Sequence, residues 1–176
     1  MTTVLVGGMR RTEREIGSRV EIDEIIRGSQ VCRIALAMDN MPYIVPVSFG
    51  YDGESIYIHT AKEGKKLIYF KSNNNICFEF ERDVELLIDP VNVCKWTYSY
   101  ESVIGFGNIY ELESLEHKED GMNKIMSQYS GKEWSFGEDK LESVRVWKIN
   151  INSITGKRSI KSASKQPAVP GNSGEK

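Results

Sequence analysis

His59-Thr60-Ala61 runs within three residues into Gly64-Lys65-Lys66, and the stretch YIHTAKEGKKL at 57–67 holds the most suggestive chemistry in the chain. His59 is one of two histidines, and an imidazole titrates near neutrality, where it can orient a substrate or move a proton. A glycine lets a ligand approach the backbone, and two lysines add point charges for an anion. Thr60 and Glu63 have capping-box spacing, which predicts a helix starting near Ala61 and running to about residue 72. A helix start presents unpaired N–H groups and a positive dipole end, which suits a phosphate, whereas lysines there oppose the dipole unless an anion offsets them. A solvated basic turn beside a surface histidine is the commoner arrangement of such residues, and local chemistry leaves both readings open.

The elements that position this stretch are legible as a strand series. VCRIALAM (31–38) and PYIVPVSFGY (42–51) flank a turn at Asp39-Asn40, and Asp52-Gly53 is a hairpin signal before SIYIHTA (55–61). Further strands are expected at ICFEFER (76–82), VELLI (84–88), SYESVIGFGNIYELE (99–113) and VRVWKINI (144–151). Ser18 and Glu21 form a capping box for a helix that buries Ile22, Ile25 and Ile26 and stops at Gly28. Leu115, Met122, Ile125, Met126 and Tyr129 recur at helical spacing. Strands joined mainly by hairpins, with few helices, predict a mainly β, antiparallel barrel decorated by helices.

Strand faces alternate in bulk. Tyr43, Val45, Val47, Phe49 and Tyr51 make a bulky face, opposite Ile44, Pro46, Ser48 and Gly50. Ile56 and Ile58 oppose Ser55, Tyr57 and His59, and Val103, Gly105 and Gly107 oppose Ser102, Ile104, Phe106 and Asn108. The thin faces leave room for a flat ligand, or are the solvent side of an edge. Pro46 lacks an N–H and favours an edge strand. Trp96, Tyr98 and Tyr100 form an aromatic cluster, either core or a platform for a planar ring.

Composition bounds the rest. A chain of 176 residues, 40% hydrophobic and 27% charged, suits one domain at residues 11–160 with a flexible N-terminus at 1–10 and a disordered Ser/Pro/Gly-rich tail at 161–176. A net charge of −2 argues against nucleic-acid or membrane-surface partners. Cys32, Cys77 and Cys94 lack metal-site spacing, and with only two histidines they read as reduced thiols of a cytoplasmic protein, not as nucleophiles or a zinc site.

The segments MRRTEREI, VCRIALAMDNMPYIVPVSFGYDGESIYIHTAKEGKKL, CFEFE, KWTYSYESVIGFGNIYEL and ITGKRS, in this order over residues 9–159, resemble the 5-nitroimidazole-resistance (Nim-like) proteins. That group lies within the FMN-binding split-barrel superfamily typified by pyridoxamine 5′-phosphate oxidase. The resemblance implies a six-stranded antiparallel split β-barrel with peripheral helices, forming a homodimer with FMN in the clefts between subunits. Matched residue by residue, Val45, Pro46, Val47 and Ser48 would lie along the flavin. Thr60 and Ala61 would bond its polar edge or ribityl chain, and Gly64, Lys65 and Lys66 would take the phosphate. Trp96 and Ser102 would come from the partner subunit, and His59 would stand near the ring in the catalytic position. The implied activity is reduction of small nitroaromatic or quinone-like acceptors with electrons from NAD(P)H or another donor. Other readings of the same barrel are an FMN-binding or sensing protein without efficient turnover, a haem or deazaflavin binder, and a dimeric structural domain. Pyridoxamine phosphate oxidase proper carries an arginine beside the phosphate lysine. Lys65-Lys66 here, with no substrate-phosphate motif near the C-terminus, argues against vitamin B6 oxidation.

Overall fold

In the computed structural model, which describes residues 10–159, the Ser18 hydroxyl accepts the Glu21 N–H at 3.4 Å and starts α1, Arg19–Gly28, as its capping box predicts. The expectations for the two termini lie, Arg10 apart, outside the described residues. Ile22, Ile25 and Ile26 are buried on one face of α1, each contributing roughly 1.5–3 kcal/mol of apolar burial. Gly28 is still helical. The helix ends instead at Ser29, whose backbone is extended and whose hydroxyl donates to the Ile25 carbonyl at 2.8 Å.

The strands are β1 (Glu15–Ile16), β2 (Cys32–Met38), β3 (Met41–Val47), β4 (Gly50–Tyr51), β5 (Ser55–Thr60), β6 (Asn75–Leu87), β7 (Thr97–Leu112) and β8 (Arg145–Arg158). They form one antiparallel sheet in the order β3-β2-β6-β7-β8-β5-β4, with β1 pairing β8 to one side. Asp39 and Asn40 both take left-handed backbone, φ 50° and 61°, closing the β2–β3 hairpin where the sequence places it. The expected single strand over 42–51 breaks at Ser48 and Phe49. Its two parts, β3 and β4, lie on opposite edges of the sheet. Two residues can bridge two edges only if the sheet curls until they approach, so this is a barrel left open at a seam: the six-stranded split barrel, with β1 and β4 as short additions.

Its interior holds Ile34, Phe49, Ile58, Phe78, Phe80, Val103 and Ile149, all fully buried. The bulky face of β3 turns inward as expected, and Pro46 does sit on an edge strand. Gly105 and Gly107 are approached closely, but by the core: a Cβ on Gly105 would strike the Phe78 ring.

Three helices close the molecule, α2 (Lys65–Ser72), α3 (Leu115–Ser130) and α4 (Glu138–Ser143). Among the described residues none is long and apolar enough to cross a membrane. The thin face expected along Ser55, Tyr57 and His59 is mostly covered, because α3 packs on β5 at Gly121, and only His59 emerges. The strands expected at 76–82 and 84–88 are one strand. Asp83, at φ 54°, absorbs the extra residue in a bulge between Arg82 and Glu85.

An ionic relay ties α1 to β6, β7 and β8. Glu101 accepts Arg82 Nε at 2.7 Å and Arg158 Nε at 2.6 Å, Arg158 reaches Glu21 at 2.9 Å, and Arg82 donates to the Glu24 carbonyl at 2.8 Å. Partial burial pushes the Glu101 carboxyl up, but the hydrogen bonds and charges of Arg82 and Arg158 outweigh it and hold it below the usual glutamate range. A depressed carboxyl stabilises the fold above its ordinary value of 4.5 and loses that contribution as pH falls through the folded value. Glu101→Gln is therefore expected to cost about 1 kcal/mol near pH 7, allowing for solvent screening of the partly exposed arginines, and much less near pH 3. Urea unfolding at the two pH values measures this, and an equal cost at both would show that the charge does not act.

Candidate functional site

The seam of the barrel is where the sequence-derived residues within 45–48 and 59–66 lie. β4 pairs only with Ile56 and Tyr57, so at His59 and Thr60 strand β5 has β8 on one side and no strand on the other. β3 likewise has a free edge. Side chains of Val45 and Val47 turn into the core, whereas Pro46 and Ser48 face outward. A flat ligand on this strand would therefore meet Pro46, Ser48 and main chain. Thr60 is buried: its hydroxyl accepts the Trp147 indole N–H at 3.1 Å and donates to the Ala61 carbonyl at 2.9 Å. What Thr60 presents to a ligand is backbone.

The expected helix start at Ala61 is not observed. Thr60 is held by Trp147 and caps nothing, residues 61–64 form a turn, and α2 begins at Lys65 with Gly64 as its N-cap. Gly64 has φ 140° and ψ 162°, a conformation essentially reserved for glycine, and a Cβ there would meet open space. It therefore holds the chain off the helix end and contributes no cap of its own. α2 has no side-chain cap and no acidic residue in its first turn, where Lys65 and Lys66 stand. The Leu67 N–H donates to the Gly64 carbonyl at 3.1 Å, which leaves the N–H groups of Lys65 and Lys66 for an outside acceptor, and the residues present fit a phosphate.

His59 is exposed on the outer face beside this turn, and among the described residues nothing hydrogen-bonds its ring. Crowding by the surrounding protein and, next, the Lys66 ammonium hold the imidazole below its usual range, so it is neutral at pH 7. All three cysteines are free, and burial pushes the Cys32 thiol far up.

Trp96 and Ser102 lie elsewhere in the same chain. His59 pairs with Val146, which pairs with Leu112 of β7, and Ser102 is ten residues back along that strand, about 33 Å at the usual rise. Trp96 is half-exposed in the β6–β7 connection, its indole N–H donating to the Asp89 carbonyl at 2.9 Å. Two open clefts also lie off the seam. One of about 400 Å³ is bordered by Arg33, Glu81, Arg82 and Asp83, and one of about 360 Å³ by Lys62, Glu111, Lys118 and Arg145.

Sequence reasoning missed Trp147, which fixes Thr60, and Tyr43 and Tyr69, whose rings meet the Lys65 ammonium. It also missed an apolar row on the outer face of the sheet, bordered by the Arg33–Glu79 and Arg33–Glu81 ion pairs. Ile44, Ala35, Cys77, Phe106 and Ser153 are register neighbours across five strands, with Ile44 62% and Phe106 40% exposed, and Ile104, Val84, Leu86 and Tyr98 extend the exposed surface. Only the pairing order could have revealed that row.

An antiparallel split barrel with a lysine-bearing helix start that lacks a side-chain cap, and a histidine at its seam, defines a structural class. Residues 18–158 match the pyridoxamine 5′-phosphate oxidase family, and the chain belongs to it. A solved structure of a candidate 5-nitroimidazole antibiotic resistance protein from Bacteroides thetaiotaomicron is similar, at 28% identity and TM-score 0.73 over 82% of this chain and 86% of that one. The FAD and haem binding protein of Mycobacterium smegmatis shares the fold at 14% identity, TM-score 0.75, over 87% of this chain and 77% of that one. Among curated proteins, an uncharacterised protein of Rhizobium meliloti is 27% identical over 62 residues, 35% of this chain, and the match spans 40% of that relative's length.

Proposed function

We infer that the protein is an FMN-dependent oxidoreductase that reduces small nitroaromatic or quinone-like acceptors and works as a homodimer with its flavin along the seam. The observation that carries this reading is the uncapped, glycine-led start of α2 with its two lysines, placed beside a neutral, unbonded His59 on an open strand edge. The Bacteroides relative described for 5-nitroimidazole resistance supports the acceptor class, and the FAD and haem binding relative supports a redox cofactor. Bound FMN would supply the redox chemistry, taking a hydride from NAD(P)H or another donor and passing electrons to the acceptor. Gly64, Lys65 and Lys66 hold the phosphate end, Ala61 and the Thr60 backbone bond the polar edge, and Val45, Pro46, Val47 and Ser48 lie along the ring. Trp96 and Ser102 of the same chain are too distant, so these two positions come from the second copy. The exposed Ile44, Ile104 and Phe106 on the outer face support that copy, because exposed apolar surface of this kind marks an interface.

His59, neutral at pH 7, donates or accepts a single hydrogen bond toward the acceptor. Purified protein should be yellow and release FMN on denaturation, and protein that is colourless and takes up no added FMN would refute the reading. His59→Ala should keep FMN affinity within about threefold while lowering nitroimidazole-dependent NAD(P)H oxidation on the order of 100-fold. Since the imidazole titrates below 6.5, the wild-type rate should change over an acid limb that His59→Ala lacks. Flavin uptake without any turnover would identify a binding or sensing protein instead.

A further inference from the structure

The two lysines at the start of α2 are not equivalent. Lys65 Nζ lies 4.7 Å from the centroid of the Tyr43 ring and 5.9 Å from that of Tyr69, and those rings pack on each other at 5.2 Å and 40°. Tyr43 belongs to β3 and Tyr69 to the next turn of α2, with Tyr69 buried and Tyr43 packed against the core. The Lys65 ammonium thus bridges one edge of the seam to the helix that begins at the other. Among the described residues Lys66 has no such ring or ion pair. It is half-buried, a helix step of about 100° from Lys65, and its charge is felt at His59.

Resting on the reading of α2 as a phosphate site, we propose that the lysine pair divides its labour: Lys66 is the ammonium that meets the anion, and Lys65 is a positioning residue, a cation–π clasp with Tyr43 and Tyr69 that fixes the helix start against β3. Lys65 then serves the ligand through its backbone N–H, and its ammonium keeps that N–H and Lys66 in place. Cation–π contacts of this length are attractive at exposed sites, and the planar faces of two tyrosines share one charge here. Replacing Lys65 acts through geometry, whereas replacing Lys66 removes a charge from the ligand itself.

The test compares FMN with riboflavin, which lacks the phosphate, on Lys65→Met and Lys66→Met, alongside a thermal double-variant cycle of Lys65→Met and Tyr43→Leu on flavin-free protein. Lys66→Met should lose at least tenfold more of the FMN-over-riboflavin preference than Lys65→Met. In the cycle, the fall in Tm for the double variant should be smaller than the sum of the single falls by about 2 °C. Equal loss of the FMN preference in both single variants overturns the division of labour. Additive falls in Tm overturn the clasp, and because that arm uses no flavin, it stays decisive even if wild-type protein binds no FMN and the functional reading fails.

Discussion

Phe106→Lys should convert the proposed homodimer, of about twice 20.0 kDa, to a monomer and, with the same change, cost at least tenfold in FMN affinity. Phe106 lies inside the sheet on β7, flanked in register by Cys77 and Ser153, and its side chain is 40% exposed on the outer face. Folding of one chain asks little of it. In a two-fold interface formed on that face, however, each substitution acts twice, and a lysine in an apolar contact is an unpaired buried charge. The flavin effect rests on the proposed site: within one chain about 33 Å of β7 separates Ser102 from the position level with His59, so if Ser102 and Trp96 contact the flavin they do so from a second copy. Light scattering gives the mass and flavin titration the affinity. Val20→Lys, on an exposed position of α1, is the control expected to alter neither. A Phe106→Lys protein that remains dimeric would place the interface elsewhere. A monomer that keeps full FMN affinity would show that one chain completes the site.

Local signals in the sequence were sufficient wherever neighbours along the chain decide the structure. Ser18 and Glu21 set the start of α1, Asp39-Asn40 set a hairpin, and the bulky alternation of Tyr43, Val45 and Val47 set the inward face of β3. They misled where a distant residue competes. Thr60 and Glu63 have the spacing of a cap, but the Trp147 indole, from the last strand, takes the Thr60 hydroxyl, and the helix waits until Lys65. Ser55 and Tyr57 alternate like an open face, yet α3 lies on them because Gly121 allows it to approach. The charged run Glu81-Arg82-Asp83 reads as a break between strands, and a left-handed Asp83 carries the strand through it. For the candidate site, the glycine-lysine turn was readable because one short stretch contains it. The clasp on Lys65 was not, since nothing in the local pattern brings Tyr43 to that lysine.

Gly50→Ala is expected to be among the most damaging single methyls at the described glycines, lowering stability by at least about 3 kcal/mol and weakening FMN binding with it. Gly50 opens β4 directly after the two residues that cross the seam, and a Cβ there would fall within the backbone of Lys124 and Ile125 in α3. Backbone cannot rotate out of the way as a side chain can, so the helix itself must shift. That helix also latches the crossing: the Tyr129 hydroxyl accepts the Phe49 N–H at 3.0 Å and donates to the Gln30 carbonyl at 3.0 Å, and Gln128 Nε2 donates to the Arg27 carbonyl at 2.8 Å. Lifting α3 would leave the Phe49 N–H without its partner and loosen the chain next to Ser48, where the flavin is proposed to lie. Gly17→Ala is the matched control, because a Cβ at Gly17 meets nothing within 4 Å, and its effect should stay within about 0.5 kcal/mol. Urea unfolding compares the two variants, and hydrogen exchange across 115–130 should rise only in Gly50→Ala. If both alanines proved equally mild, α3 would not be seated on the seam, and the link between that helix and the proposed flavin site would fall with it.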